Sequence, residues 1–203
     1  MKLPHAYYLN SDVLYLAKDL LGKILYTQID GKVTAGIITE TEAYYGVDDK
    51  ASHAYGGRRT NRTEPMFHAG GISYVYLCYG IHHLFNVVTG VNGEPHAVLI
   101  RAVEPYSGLD TIASRRAMPV AKTAISAGPG SVAKALGIDM SCNHLDLTGD
   151  TIWIEDQNIR FRPDQIVATP RVGVAYAADH ALLPWRFFVL GNKYVSKPNK
   201  PDK

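Results

Sequence analysis

The stretch KILYTQIDGKVTAGIITETEAY, residues 23–44, contains two runs rich in β-branched and aromatic residues on either side of an Asp-Gly pair. Asp30-Gly31 tolerates the positive φ angles of a tight two-residue turn. The stretch therefore predicts two antiparallel strands, 23–29 and 32–44, joined as a hairpin. This hairpin is the start of the predicted sheet.

Further strands are predicted along the chain. Residues 72–90, ISYVYLCYGIHHLFNVVTG, have the pattern of two strands that reverse at Tyr79-Gly80, and AVLIRAVEP, 97–105, has that of a buried strand. Three later stretches have the same character, namely 151–156, 169–176 and 185–192.

Helical segments are predicted around this sheet. Asn10 or Ser11 is placed to cap the first, whose apolar residues recur at helical spacing until Gly22. Residues 106–127 have a weaker helical character. The segment GPGSVAKALG, 128–137, has the proline near its start and the glycine at its end that are typical of a short helix.

The composition favours one α+β domain. The chain has 203 residues, of which 46% are apolar and 20% charged, as in ordinary globular proteins. We find no repeat, linker or change of composition, so a single domain is expected over 1–203, with a core from 8 to 196 and a flexible tail from 197 to 203. Its mostly antiparallel sheet is expected to curl toward an open barrel with helices packed around it.

Several classes of protein are excluded. Cys78 and Cys142 are the only cysteines, too few for a disulfide framework or a cysteine-based metal site. The histidines His53, His68, His82 and His83 lack a metal-ligand spacing, so neither a metal nor another cofactor is expected. No apolar stretch is long enough to span a bilayer, and we expect a cytoplasmic protein without a membrane partner. A net charge of +2 permits a polyanionic partner without requiring one.

One face of the second strand carries carboxylates and a phenol that could take part in acid–base chemistry. Glu40, Glu42 and Tyr44 point to the same side because side chains alternate along a strand. Spacing alone favours a solvent-facing stripe opposite Ala35, Ile37 and Thr39. The strand, however, leads directly into residues 46–72, a Gly-rich segment with histidines and arginines and no periodicity, and long loops of this kind are usually functional or disordered.

A second feature is the aromatic residue at the predicted strand reversal. Tyr79 lies beside Gly80, where a large side chain projects into solvent, and an exposed aromatic tip suits insertion between stacked bases. Basic residues that could contact phosphates are scattered along the chain: Arg58, Arg59, Arg62, Arg115, Arg116, Lys193, Lys197, Lys200 and Lys203.

Taken in order, several motifs resemble the alkyladenine, or 3-methyladenine, DNA glycosylase family. They are ETEAY (40–44), ASH (51–53), YVYLCYG (74–80) with Asn86 after it, VLIRAVEP (98–105), GPGS (128–131) and RVGVAY (171–176). Separate motifs in a fixed order are far more specific than any one of them. The resemblance extends from about Tyr8 to Ser196 and is to members of bacterial type.

The resemblance implies a role for individual residues. Glu42 corresponds to the general base, and Arg101 and the backbone of Val172 to the groups that hold the attacking water. In the base pocket, Tyr44 and His53 are expected in one wall and Tyr76 in the other, while Asn86 crowds the exocyclic amino group of guanine. Tyr79 corresponds to the side chain at the tip of a DNA-inserting β-hairpin, and Ile81, where we associate a methionine with the human-type enzyme, flanks it.

The implied activity is removal of alkylated or deaminated purines from double-stranded DNA by water, which leaves an abasic site. No lysine is placed to form a Schiff base, so a monofunctional enzyme is expected. We also expect a monomer without an obligate protein partner, associated with the nucleoid. Two other functions fit the residues alone: a non-catalytic module that binds distorted DNA, and a nucleoside-hydrolysing or formyl-transfer enzyme acting on small molecules.

Overall fold

The computed structural model describes residues 1–197 of the chain. Its strands are β1 (Ile24–Ile29), β2 (Lys32–Tyr45), β3 (Ser73–Cys78), β4 (His82–Thr89), β5 (His96–Ser107), β6 (Ile152–Glu155), β7 (Ile166–Thr169) and β8 (Arg186–Val189). The helices among these residues are α1 (His5–Tyr8), α2 (Val13–Asp19), α3 (Leu109–Arg116) and α4 (Pro129–Leu136), with several short 3₁₀ turns between elements.

The strands form one antiparallel sheet with β2 at its centre. The order is β3-β4-β5-β2-β1-β6, and β8 pairs with both β2 and β7. β2 is long enough to pair with β1 along its first half and with β8 at Glu40–Glu42, while β5 covers its other edge. The register between β2 and β5 shifts on both sides of Glu40, and such irregularities bend a strand. The sheet therefore curls around this point.

Two apolar clusters cover the sheet. The main core packs α2 and α4 against the sheet and includes Leu16, Phe85, Ile100 and Leu136, all of them almost inaccessible to solvent. Burial of one such side chain stabilises the fold by about 1.5–3 kcal/mol. A smaller cluster, which includes Met66 and Phe67, fixes the 46–72 loop against β3, β4 and β5. The loop is thus packed on the sheet as an irregular excursion with three 3₁₀ turns.

The hairpin of β3 and β4 ends in a turn from Cys78 to Ile81. Tyr79 and Gly80 both have positive φ angles, 51° and 72°, as the two central residues of a type I′ turn require. The backbone amide of Ile81 donates to the carbonyl of Cys78 at 3.1 Å and closes the turn. Because glycine adopts this conformation without strain and tyrosine does not, the presence of tyrosine needs another explanation.

The predicted α+β fold, with its antiparallel curled sheet, is confirmed. The hairpin at Asp30-Gly31, the strands beside Tyr79-Gly80 and the helix that starts at GPGS all lie where the sequence places them. The domain boundaries stay a prediction. Of the predicted tail, only residue 197 belongs to the part that the structure describes.

Some boundaries were wrong. Residues 169–176 do not form a strand, since β7 ends at Thr169, Pro170 lacks an N–H for a ladder and Gly173 has a φ of 79°. In the segment 106–127, only Leu109–Arg116 is α-helical, because Ala117 ends the helix in a left-handed conformation. The cap of α2 is Asp12, whose carboxylate accepts from the amide of Tyr15, in place of Asn10 or Ser11. The short α1 was not predicted.

Candidate active site

A buried carboxylate, Glu42, lies behind residues that line the site. Glu42 on β2 is inaccessible to solvent. Its Oε1 accepts from the backbone amide of Val172 at 2.7 Å and lies 3.2 Å from Nη1 of Arg101, and its Oε2 accepts from the hydroxyl of Tyr44 at 2.9 Å. Burial of polar atoms without partners is costly, and these contacts satisfy both oxygens of the buried carboxylate. The interpretation of Glu40 and Glu42 as a solvent-facing stripe was wrong.

Glu40 holds Arg101 against Glu42. Its Oε1 lies 2.9 Å from Nε of Arg101 and 2.7 Å from Nε of Arg186, and its Oε2 accepts from the amide of Ser196 at 2.7 Å. Burial disfavours the charge of Arg101, but Glu42 and Glu40 outweigh that effect and raise its pKa. Two buried carboxylates are thus balanced by two guanidinium groups.

A second buried ion pair supports Tyr44. The guanidinium of Arg171 forms two hydrogen bonds with the carboxylate of Asp49, donates to the carbonyl of Ala43 at 2.9 Å and lies 4.9 Å from the ring centroid of Tyr44. Burial opposes ionisation of Asp49, and the hydrogen bond from Arg171 prevails and lowers its pKa. Arg171 also precedes Val172 in the chain. The pair therefore fixes both the ring of Tyr44 and the backbone that contacts Glu42.

Tyr44 is held as a hydrogen-bond donor. Burial, followed by the charge of Glu42, raises the pKa of its hydroxyl well above the ordinary value of 10.0. The hydroxyl consequently keeps its proton at neutral pH and donates it to the carboxylate.

Three rings form one aromatic wall, which we define as His53, Tyr74 and Tyr76. The ring of His53 shares a hydrogen bond of 2.8 Å with the hydroxyl of Tyr74, and its centroid lies 4.7 Å from that of Tyr76 in an edge-to-face arrangement. No flat base fits between rings that are already in contact. His53 thus belongs to the wall of Tyr76, not to that of Tyr44 as the sequence analysis had it.

The protonation of His53 follows from its surroundings. Burial and, after it, the positive charges of Arg62 and Arg58 lower its pKa from 6.5 to about 4. The imidazole is therefore neutral at physiological pH and presents an uncharged edge and face to the cleft.

His53 and Tyr76 of the aromatic wall border, together with Tyr44, an open cleft of about 540 Å³. Such a volume accommodates a purine with its sugar. The groups that it brings together with the wall include Tyr79, His82, Arg101, Gly130, Val172 and Tyr176. Asn86 lies beneath, in an adjoining recess of about 30 Å³, where its side-chain amide donates to the carbonyl of Tyr74 at 3.0 Å. That recess has room for about one water molecule.

The hairpin tip rises from the edge of this cleft. Tyr79 is 89% exposed and Ile81 72%, which makes the tip an apolar projection without an internal partner among the residues that the structure describes. Tyr79 lies in the turn and Ile81 directly after its centre, while Cys78 and Leu77 continue the apolar surface into the cleft.

The predicted basic residues serve different purposes. Arg62 borders the cleft, and Arg58 lies in a neighbouring one. Arg116 is used internally, because its Nε donates to the carbonyl of Ile125 at 2.8 Å, and Arg115 donates to Oγ1 of Thr34 at 3.1 Å. Lys200 and Lys203 lie outside the described residues.

Some functional residues were missed by the sequence analysis. Arg186 and Ser196 bind Glu40, and Asp49 binds Arg171, over separations of more than a hundred residues that no local pattern reveals. Tyr176 was overlooked as well, although it is 69% exposed at the cleft. Within residues 1–197 there is no group of three or more side chains suited to a metal ion, and no helix has the length and hydropathy needed to cross a membrane.

Comparison with known proteins identifies the family of the chain. Residues 7–193 match the family model of methylpurine-DNA glycosylase. A relative from Chlamydia felis (strain Fe/C-56) is 51% identical over 92% of this chain and 95% of its own. A relative from Bacillus cereus (strain G9842) is 45% identical over 97% of this chain and 100% of its own. Both carry the provisional name 3-methyladenine DNA glycosylase. The chain belongs to the methylpurine-DNA glycosylase family and is a DNA-repair hydrolase of that class.

Proposed function

We propose that this glycosylase rotates a damaged purine out of duplex DNA, holds it beside the aromatic wall and hydrolyses its N-glycosidic bond with a water activated by Glu42. One observation carries the proposal: a buried carboxylate has three fixed partners, Tyr44, Arg101 and Val172, that themselves line an aromatic cleft whose edge bears an exposed tyrosine. The substrate is double-stranded DNA with an alkylated or deaminated purine.

Extrusion of the nucleotide is assigned to the hairpin tip. A base inside the duplex is inaccessible, and its removal from the stack costs a few kcal/mol. Insertion of Tyr79 through the minor groove fills the gap and offsets part of that cost. Ile81, exposed beside it, contacts the flanking base pair.

Recognition is assigned to the rings on both sides of the cleft. Stacking of a base on an aromatic side chain contributes about 1–3 kcal/mol, and Tyr76 with His53 on one side and Tyr44 on the other supply such surfaces. A purine methylated at N3 or N7 is cationic, which strengthens its attraction to aromatic faces. Asn86, in the adjoining recess, crowds the exocyclic amino group of guanine.

Bond cleavage is assigned to Glu42. Its carboxylate takes a proton from water, whose oxygen attacks C1′ while the bond from C1′ to the purine nitrogen breaks and the electron pair leaves with the base. A cationic methylpurine departs as a neutral molecule. Arg101 and the amide of Val172 orient the carboxylate and its water. No lysine borders the cleft among the described residues, which supports a monofunctional enzyme that leaves an intact strand with an abasic site.

The test is Glu42→Gln in single-turnover assays on duplexes with one methylated purine, followed by cleavage at abasic sites with heat. We expect loss of base release with retained binding to the duplex. Glu64→Gln, a half-exposed carboxylate on the neighbouring loop, is the matched control and should act like the wild type. Release of the base at the wild-type rate by Glu42→Gln excludes the proposed mechanism.

Two other outcomes identify the remaining functions. A wild-type protein that binds damaged duplex but releases no base is a binding module. Tyr79→Ser distinguishes an enzyme of small molecules, because loss of the tip should impair release from duplex DNA and spare a free nucleoside. If Tyr79→Ser slows release from both substrates equally, insertion of Tyr79 into the duplex is excluded.

In the proposal the protein acts as a monomer on chromosomal DNA in the cytoplasm. Sedimentation of the protein with and without duplex DNA measures its oligomeric state.

A further inference from the structure

One cation lies on the aromatic wall without a counter-charge. The guanidinium carbon of Arg62, on the 46–72 loop, is 4.9 Å from the ring centroid of Tyr76. Arg62 borders both the main cleft and a neighbouring cleft of about 460 Å³. Its charge reaches all three rings, since it lowers the pKa of His53 and partly offsets the rise that burial causes in the pKa of Tyr74 and Tyr76.

The other arginines of the site are compensated. Arg101 faces Glu40 and Glu42, and Arg171 faces Asp49. Arg62 has no carboxylate within 4.0 Å in the portion of the chain that the structure describes. The remaining groups near it are uncharged at neutral pH or positive, namely His53, the two tyrosines and Arg58. The aromatic wall therefore carries a net positive charge at the mouth of the cleft.

We propose that Arg62 is a specificity-determining residue that lowers the preference of the cleft for cationic lesions over neutral ones. The inference rests on the proposed function. A guanidinium on an aromatic ring occupies a surface on which a methylated, cationic purine gains its extra stacking energy. A cationic base must therefore approach or displace a like charge, whereas a neutral base such as hypoxanthine meets no such repulsion.

The test compares two lesions in duplexes of identical sequence, one with 7-methylguanine and one with hypoxanthine. Single-turnover rates of release are measured for the wild type and for Arg62→Gln. We expect the ratio of the rate for 7-methylguanine to that for hypoxanthine to rise about three- to tenfold in Arg62→Gln, the range for two charges several ångströms apart in a site open to water. Arg62→Lys, which keeps the charge, should leave the ratio near the wild-type value.

Arg59→Gln is the matched control. Arg59 lies on the same loop and also stacks on a ring, that of Phe67 at 5.0 Å, but its charge is paired with Glu64 at 2.6 Å. Its removal should leave the ratio unchanged. Thermal unfolding of each variant confirms that the exposed substitutions leave the fold intact.

Other outcomes overturn the inference. If Arg62→Gln lowers both rates equally and its binding to DNA depends less on salt, then Arg62 contacts a phosphate and does not set selectivity. A ratio that stays constant in Arg62→Gln excludes any part in selectivity. Failure of the proposed function looks different, because the wild type then releases neither lesion.

Discussion

The backbone amide of Val172 donates a hydrogen bond of 2.7 Å to the carboxylate of Glu42, across 130 residues of sequence. The donor is a main-chain group, so the identity of its side chain is immaterial to the contact. What matters is the path of the irregular segment after β7, which Arg171 fixes through Asp49. The orientation of the candidate base thus depends on a loop that approaches β2 from a distant part of the chain.

Removal of that donor should slow the reaction. Val172→Pro lacks the N–H, and a misplaced catalytic group typically costs about a hundredfold in rate. Val172→Ala keeps the N–H and is the control, for which we expect nearly wild-type release of the base. Single-turnover kinetics on methylated duplex measure both. Wild-type activity in a folded Val172→Pro protein contradicts the assigned role.

Glu40 should matter for stability far more than an exposed glutamate does. Glu40→Gln leaves Arg101 and Arg186 buried with one carboxylate fewer, and loss of one partner in a buried ionic network typically costs about 3–5 kcal/mol. Glu64→Gln breaks an exposed pair with Arg59, which solvent screens, and should change the free energy of unfolding very little. Urea denaturation gives both free energies of unfolding, and similar values for the two variants refute the argument.

Tyr79 should show opposite effects on stability and activity. Its φ of 51° is unfavourable for a tyrosine and costs of order 1 kcal/mol that glycine does not incur. Tyr79→Gly should therefore raise the free energy of unfolding slightly while it lowers base release from duplex DNA. Tyr79→Asn is the control for the turn, because asparagine also tolerates a positive φ and likewise lacks the aromatic ring. A fall in both quantities indicates that the ring supports the fold.

His53 should make the protein sensitive to acid. The pKa of its imidazole is about 4 in the folded chain and 6.5 in its ordinary state. Above pH 6.5 both states bind no proton there, so the full contribution to stability is present. This contribution to the free energy of unfolding is lost as the pH falls from 6.5 to 4, because only the unfolded chain then takes up the proton. The whole loss amounts to about 3 kcal/mol.

Unfolding by urea at several pH values checks this expectation. His53→Gln, which does not titrate, should have a flatter dependence of stability on pH between 6.5 and 4 than the wild type. Parallel curves for the two proteins contradict the depressed pKa.

Much of the fold could be predicted because its determinants are local. The Asp-Gly pair at 30–31, the reversal at Tyr79 and the glycine that ends α4 act through their own backbone preferences. The strand wrongly predicted over 169–176 lies where a distant contact acts together with local breaks. Residues 169–176 are rich in β-branched residues, yet Arg171 turns inward to Asp49 and the segment leaves the sheet.

By itself, the sequence determined that Glu40, Glu42 and Tyr44 share one side of a strand, because alternation along a strand is a property of its backbone. Only the tertiary structure decided whether that side faces solvent. β8 and the loop after β7 cover it and supply Arg186 and Val172, over 146 and 130 residues respectively. Burial and charge pairing depend on which segments meet in space, and a period of two residues carries no information about that.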